Sequence, residues 1–359
     1  MKSAPTFPLS PERQALYDRL ESQIGGTPLY ELQHMEIANG CRVFCKGEHE
    51  NPTGSHYDRE TLALLRGKEE EGMIAPGGRP LFETTTGSSG ASLAWLCRVL
   101  GFTCRIVIPA DMPAARIQQI ESYGAKVDYG EKGMYIGGLV ARVRELVGNK
   151  ERVKKYWVTD HSTDLKYGPA AMEALGTEIL EDLEAIGQGP PDYFVCMVGT
   201  GISAHGLTNT LGPHGTALVA VEPRESPTLL RRRFPDEFKL AYPNGHSDQR
   251  HEIYGTAVGE DANHEFKNTE KVLGRIEEML LIDRDDWRST QVELMDLEGH
   301  HVGHSSAACV WAARRLAEKI PPQSTILTIF YDASWRYLPS GAETDVPTIS
   351  ADDVSTATA

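Results

Sequence analysis

The sequence predicts an α/β fold, with two domains whose parallel-rich sheets are flanked by helices. Three observations carry this reading. Apolar runs at 105–109 (RIVIP), 193–198 (YFVCMV), 217–221 (ALVAV) and 325–331 (TILTIFY) are continuous rather than alternating, the mark of strands covered on both faces. Helix-like segments fall between such runs. Tight polar turns rich in glycine join strand to helix at 85–90 and 199–201, as in doubly wound sheets.

The elements follow in order. Residues 10–24 read as a helix with Ser10 as N-cap and Pro11 at its first position, closed by Gly25-Gly26. Residues 41–46 alternate like a strand, and after the loop Asn51-Pro52-Thr53-Gly54-Ser55 a helix spans 57–72. The block 79–84 leads into loop 85–90 and helix 91–100. Helices at 112–123 and 136–149 surround a strand at 126–129. The glycine turn 199–201 opens helix 202–211, and helix 305–319 precedes the last strand. The stretch 224–275 has weak periodicity and reads as loop-rich surface, with Arg231-Arg232-Arg233 as a solvated loop. The tail 343–359 is rich in Thr, Ser, Asp and Ala and is expected to be disordered.

Composition excludes several functions. The 359 residues carry 36 Lys+Arg against 51 Asp+Glu, a formal net charge of −15. A surface of that sign is a poor match for nucleic acid, which needs clustered cations on its phosphates. No stretch approaches the roughly 18 apolar residues that span a bilayer, and residues 1–12 hold no apolar core of a secretory signal. The six cysteines (Cys41, Cys45, Cys97, Cys104, Cys196, Cys309) form no paired CxxC and no dense framework. They read as reduced, buried thiols, and the expected location is cytoplasmic. His300, His301 and His304 are the one histidine cluster, but with no carboxylates grouped nearby they read as solvated loop residues, and no metal is expected.

Chemistry is expected in three loops that precede helices, because ligands of such sheets bind beyond the carboxyl ends of the strands and helix N-termini suit anions. Gly199-Thr200-Gly201-Ile202-Ser203 has glycines for close backbone approach and two hydroxyl donors; it is equally a turn that packs a helix on a sheet. Thr85-Thr86-Gly87-Ser88-Ser89-Gly90 offers four hydroxyls to a carboxylate; it is equally an N-cap with surplus hydroxyls. The third loop runs from Asn51 to Arg59.

Taken in order, these motifs resemble the fold-type II family of pyridoxal-phosphate enzymes, most closely its cysteine-synthase branch. Lys46-Gly47-Glu48, Asn51 to Ser55 and Asp58-Arg59 resemble its K-x-E followed by N-P-x-G-S-x-K-D-R. Ile24 to Leu29 resembles I-G-x-T-P-L, Thr85 to Gly90 the substrate-carboxylate loop T-S-G-N-T-G, and Gly199 to Ser203 the cofactor-phosphate loop G-T-G-G-T. Ala220 to Pro223 resembles G-V-E-P. Gly303-His304-Ser305-Ser306 resembles G-x-S-S, whose serine, here Ser305, contacts the pyridine nitrogen. Tyr331 to Ser334 stands near the family's D-S-G.

The resemblance implies a tryptophan-synthase-β/cysteine-synthase-like architecture: a smaller domain at 41–155, a larger one combining 1–40 with 156–340, a site between them, and a homodimer. It implies substrate binding by Thr85, Thr86, Gly87, Ser88 and Ser89, and cofactor or phosphate binding by Gly199, Thr200, Gly201, Ser203 and Ser305. The departures matter more. The family's imine-forming lysine should precede Asp58, and Tyr57 stands there. A phenol forms no imine. The family's cofactor-contacting Asn falls at Ser88, and the last glycine of the phosphate loop is Ile202, whose side chain would crowd a phosphate.

Pyridoxal 5′-phosphate is therefore expected to bind non-covalently at most, or not at all. Tyr57 has three readings: a packing residue, a hydrogen-bond donor to a ligand, or an acid/base catalyst whose pKa of about 10 would have to be lowered by His56, Arg59 or His304. The functional expectation is a noncanonical cysteine-synthase-like enzyme, of lyase or β-replacement ancestry, acting on an amino-acid-like substrate. The alternative is a pseudoenzyme that binds a ligand or regulates a partner.

Overall fold

The computed structural model describes residues 7–130, 145, 148–149, 154–159, 161–256 and 266–338. The helix expected at 136–149 falls almost entirely, and the tail at 343–359 wholly, outside the described residues. Ten strands follow in chain order: β1 (Leu29–Glu31), β2 (Arg42–Lys46), β3 (Leu81–Thr84), β4 (Cys104–Pro109), β5 (Lys126–Gly130), β6 (Trp157–Val158), β7 (Tyr193–Met197), β8 (Ala217–Pro223), β9 (Ile276–Ile282) and β10 (Thr325–Ile329). The chain is α/β, with one mixed and one parallel sheet flanked by helices. It divides into two units: Met1–Ser22, Thr61–His161 and Trp335–Ala359 form the first, Gln23–Glu60 and Ser162–Ser334 the second.

The first unit holds a four-stranded sheet in the order β5-β4-β3-β6, parallel throughout. Its helices include Ser88–Leu100, which starts directly after the 85–87 turn, and Ala114–Ser122. The helix Pro11–Glu21 begins as expected, with the Ser10 side chain accepting from the Arg13 amide. Arg13 then fixes it to this unit: its guanidinium donates to both oxygens of Glu69, at 2.9 and 2.6 Å, and to the Leu100 carbonyl at 2.7 Å. The buried Tyr17 hydroxyl joins the same carboxylate at 2.7 Å.

The second unit holds a six-stranded sheet in the order β1-β2-β10-β7-β8-β9. All neighbours are parallel except the edge pair β1 and β2. The Val, Ile, Leu and Phe side chains of β7, β8 and β10 are wholly or almost wholly buried, as their unbroken apolar runs require. The helices Tyr167–Ala185, Ile202–Leu211 and His304–Ala317 also contribute to this core. Two of them meet at Gly206: a Cβ there would lie 2.4 Å from Met172 Cβ and 2.4 Å from the Pro169 carbonyl oxygen.

The structure corrects the reading of 224–275. This stretch is not loop-rich surface: it contains helices Thr228–Arg233, Pro235–Ala241 and Lys267–Leu273, and Leu229, Leu230, Ile253, Phe266 and Val272 lie in the core or are buried. These helices are one or two turns long, too short to print a 3.6-residue period. Arg231, Arg232 and Arg233 end a helix rather than lying in a loop. They pair with Asp248, Glu270 and the Ile276 carbonyl. The helix Tyr167–Ala185, strand β9 and helix Arg284–Glu298 were not anticipated. Polar residues interrupt β9 (Glu277, Glu278) and crowd the exposed face of Arg284–Glu298. All six cysteines are buried and free.

The contact at Gly206 makes a test of packing. Gly206→Ala should destabilise the protein by about 1 kcal/mol in urea unfolding, because overpacking costs roughly 1–3 kcal/mol and outweighs the gain of about 1 kcal/mol in helix propensity. A variant as stable as the native chain would mean that the two helices separate freely.

Candidate functional site

The frame of the 51–59 loop is a buried ion cluster. Lys46, the last residue of β2, is wholly buried. Its ammonium donates to the Thr27 carbonyl, to Glu178 at 2.7 Å and to Asp182 at 2.6 Å. Glu178 and Asp182 are four apart on one helix and so share a face. Arg59 forks between Glu48, at 2.7 and 2.9 Å, and Glu178, at 2.8 and 3.0 Å, the bidentate geometry a planar guanidinium favours. Glu48 also accepts from the Thr27 hydroxyl at 2.6 Å and the Asn51 amide at 2.8 Å, while Asn51 Oδ1 receives the Gly25 amide at 2.9 Å. Burial alone would raise the Glu178 pKa, but the bonds and charges of Arg59 and Lys46 outweigh it and bring it to about 2. Arg59 is held well above its ordinary value: burial opposes its charge, and Glu48 and Glu178 more than compensate.

Asp58 is wholly buried and turns back on the loop, accepting the Thr53 amide at 2.8 Å and the Thr53 hydroxyl at 2.6 Å. The strand end beyond β10 clamps the same loop. Ser55 pairs with Asp332, the Ala333 amide donates to the Gly54 carbonyl at 3.0 Å, and the His56 amide donates to the Tyr331 carbonyl at 3.0 Å. Tyr57 is thus the first residue of helix Tyr57–Glu70 and is half-buried. Its amide donates to Ser55 Oγ at 3.4 Å, and its ring centroid lies 4.3 Å from that of His56. Of the cations considered as partners for the phenol, Arg59 is committed to Glu48 and Glu178. His304 sits on the Glu252 carbonyl at 2.9 Å and stacks on Trp287 at 4.2 Å. His56 is the one whose ring meets Tyr57.

The loop Gly199–Ser203 opens helix Ile202–Leu211, as expected. Its glycines answer first to the chain itself. A Cβ on Gly199 would lie 2.0 Å from the Gly255 carbonyl oxygen, and one on Gly201, at φ +86°, 2.4 Å from the Thr269 amide nitrogen. The Thr269 hydroxyl donates to the Gly199 carbonyl at 3.1 Å. Ile202 is buried in the core, with Cγ2 2.9 Å from where a Cβ on Gly168 would stand. Its side chain is therefore taken up by packing on helix Tyr167–Ala185, which answers the concern that it crowds the loop. The Ser203 hydroxyl donates to Glu60 Oε1 at 3.1 Å. Glu60 is only 4% exposed, and the same oxygen lies 3.8 Å from His56 Nε2. Sequence reasoning missed Glu60; its place one turn beyond His56, on the face that follows Tyr57, was the available signal.

The 85–90 loop belongs to the first unit and is described there. The Thr85 hydroxyl pairs with Ser89 Oγ at 2.9 Å and accepts the Gly87 amide at 2.9 Å and the Gly90 amide at 3.4 Å. Thr85 and Ser89 therefore brace the turn, and Ser88 is the first helical residue. Gly87 has φ +135°, and a Cβ there would lie 2.7 Å from Arg116 Cδ. Arg116, 1% exposed, donates to the Thr86 carbonyl at 2.9 Å and lies 4.3 Å from the Tyr337 ring. A cation against this loop was not foreseen, because the packing of helix Ala114–Ser122 alone brings it there.

Ser305 is nearly buried in the first turn of helix His304–Ala317, beside Ser306, whose hydroxyl accepts the Tyr331 amide at 2.9 Å. Of the three histidines His301 is exposed, as expected, whereas the other two are packed: His300 contacts the Tyr30 and Phe330 rings and burial lowers its pKa, while His304 begins the helix. Among the described residues no group of His, Cys, Asp and Glu is arranged to hold a metal ion.

In α/β sheets of this kind, ligands bind where loops open helices beyond the carboxyl ends of parallel strands. Residues 20–332 match the family of pyridoxal-phosphate dependent enzymes, and the chain belongs to that family. It is 28% identical over 328 residues to cysteine synthase 1 of Neurospora crassa, covering 90% of this chain and 83% of that one. Among solved structures it is similar to the O-acetylserine dependent cystathionine beta-synthase of Helicobacter pylori. That similarity has a TM-score of 0.75 and 26% identity, and covers 90% of this chain and 98% of the other. It is also similar to a hydrogen sulfide-producing enzyme of Fusobacterium nucleatum, with a TM-score of 0.74 and 27% identity, covering 89% and 99%.

The ion cluster predicts an acid response. Glu178 is depressed from 4.5 to about 2, so its contribution is complete above the unfolded value and is lost as pH falls from about 4.5 towards 2. Lys46→Ala should cost about 3 kcal/mol at pH 7, the scale of breaking a buried pair. It should also flatten the fall in stability over that acid window. Denaturant unfolding between pH 2 and 7 checks both.

Proposed function

We propose that this chain is a noncanonical cysteine-synthase-like enzyme of amino-acid or specialised metabolism. It would act, as a homodimer, on an amino-acid-like substrate without a lysine imine. The observation that supports this is the pairing of an intact frame with an altered centre. The Lys46–Glu48–Arg59–Glu178–Asp182 cluster and the Asp58 bond hold the 51–59 loop as the motif order implies, while the residue before Asp58 is Tyr57. A frame of buried charges persists where each member has its partners, and here each does.

Pyridoxal phosphate, which supplies an electron sink when bound, fits these residues poorly. Tyr57 offers no amine, and the Lys46 ammonium is already held by three oxygens. The substrate carboxylate would rest on the Thr86, Ser88 and backbone donors of loop 85–90, with Thr85 and Ser89 keeping the turn in shape and Arg116 adding positive charge. Tyr57 would donate a hydrogen bond or exchange a proton, with His56 as the ring beside it.

The second reading, a pseudoenzyme that binds a ligand or regulates a partner, draws on the Thr85 hydroxyl: it is fully occupied in capping its own helix. Calorimetry with amino acids and keto acids separates a working pocket from a filled one. Replacing Thr86 and Ser88 by Ala together should weaken the best ligand by about 1–3 kcal/mol, the scale of hydrogen bonds to charged groups; unchanged affinity would remove the loop from the site.

The altered centre has its own test. Borohydride treatment with pyridoxal phosphate should leave no labelled peptide from residues 50–60, because a phenol adds to an aldehyde only as a labile hemiacetal. Tyr57→Lys should restore little or no yellow colour, since other positions differ as well as Tyr57. A stoichiometric coloured Tyr57→Lys protein would show that only the nucleophile was lost.

A further inference from the structure

Glu60 stands beside the glycine loop that opens helix Ile202–Leu211. Its carboxylate accepts a hydrogen bond from the Ser203 hydroxyl at 3.1 Å, and a serine hydroxyl has only one proton to donate. A phosphate oxygen accepting from Ser203 would sit about 2.7 Å from that hydroxyl, and thus within about 6 Å of the Glu60 oxygen. Burial of Glu60 keeps bulk water from screening the pair. The loop's own glycines are accounted for by the Gly255 carbonyl and the Thr269 amide, so their presence does not argue for phosphate.

We propose that Glu60 excludes phosphate dianions from the Gly199–Ser203 loop, so that this loop takes an uncharged or cationic group of its ligand. This rests on the reading of the loop as part of the site, and deepens it by fixing the charge of what the loop accepts. His56, 3.8 Å from the same carboxylate, would partly cancel the charge if protonated. The test is therefore run at pH 8, where an imidazole is neutral and a phosphate ester is a dianion.

The probes are pyridoxine 5′-phosphate, pyridoxine and inorganic phosphate, none with an aldehyde to trap stray lysines, with binding read by calorimetry on the full chain. The native protein should bind pyridoxine 5′-phosphate no more tightly than pyridoxine, and should not bind inorganic phosphate. Glu60→Gln keeps a partner for Ser203 and removes the charge, and should favour the phosphate ester by about tenfold or more. If Glu60→Gln does not fold, Glu60→Ala is read in its place. A native chain that prefers the phosphate ester tenfold, or a folded Glu60 variant with unchanged preference, overturns the proposal. Amino-acid binding is measured separately, so loss of the enzyme reading and loss of this one remain distinguishable.

Discussion

The second unit depends on burying two cations among three carboxylates at the end of β2. Lys46 and Arg59 meet Glu48, Glu178 and Asp182, and Glu178 is shared by both cations. Lys46 and Glu48 are wholly buried, so removing a partner of either leaves charge that water does not reach, and that is costly, whereas Glu178 and Asp182 are partly exposed. The cluster therefore fixes several things together: the exit of β2, the turn at Gly25, the loop from Asn51 and the start of helix Tyr57–Glu70. Gly25 belongs to it sterically as well. A Cβ there, at φ +88°, would come 2.6 Å from Arg59 Nη1, so the guanidinium can lie across the backbone only over glycine.

The same double logic governs the loops. A glycine before a helix leaves room for a ligand, but at Gly199 and Gly201 the room is filled by Gly255 and Thr269 of the same chain. These glycines are needed whether or not anything binds. At 85–90 the helix cap already holds the Thr85 hydroxyl. The side chains set beside the two loops differ in kind: Arg116 lies against 85–90 and Glu60 against 199–203.

That distinction marks how far the sequence could be read. The buried strands were legible because Tyr193–Met197 and Thr325–Ile329 are continuous apolar runs, and helix starts were legible where a cap or glycine turn announced them, as at Ser10 and Gly201. Strand β9 was hidden by Glu277 and Glu278, and the core around Leu229 and Val272 by helices too short to show a period. The motif order placed Lys46, Asp58 and Arg59 in one loop system, but not the partners of the cations, because Glu178 and Asp182 arrive from a helix more than a hundred residues later. Arg116 was invisible for the same reason, while Glu60 had only its spacing from His56 to mark it; neither sits in a motif, and each acquires meaning from what folding puts within reach.

Frame and chemistry are thus separable in this fold. Lys46, Glu48, Asp58 and Arg59 are bound to one another or to the backbone, so each constrains the next, and their identities hold together as a set. Tyr57 lies between Ser55 and Asp58 yet owes its place to its amide and to the helix it begins. The buried charges keep the loop in its path without any contribution from the Tyr57 side chain. Arg59 and His304 are engaged elsewhere, so the phenol's ring neighbour is His56, which itself leans towards Glu60. His56 and Ser203 thus approach the same Glu60 oxygen, at 3.8 and 3.1 Å, entirely within the second unit.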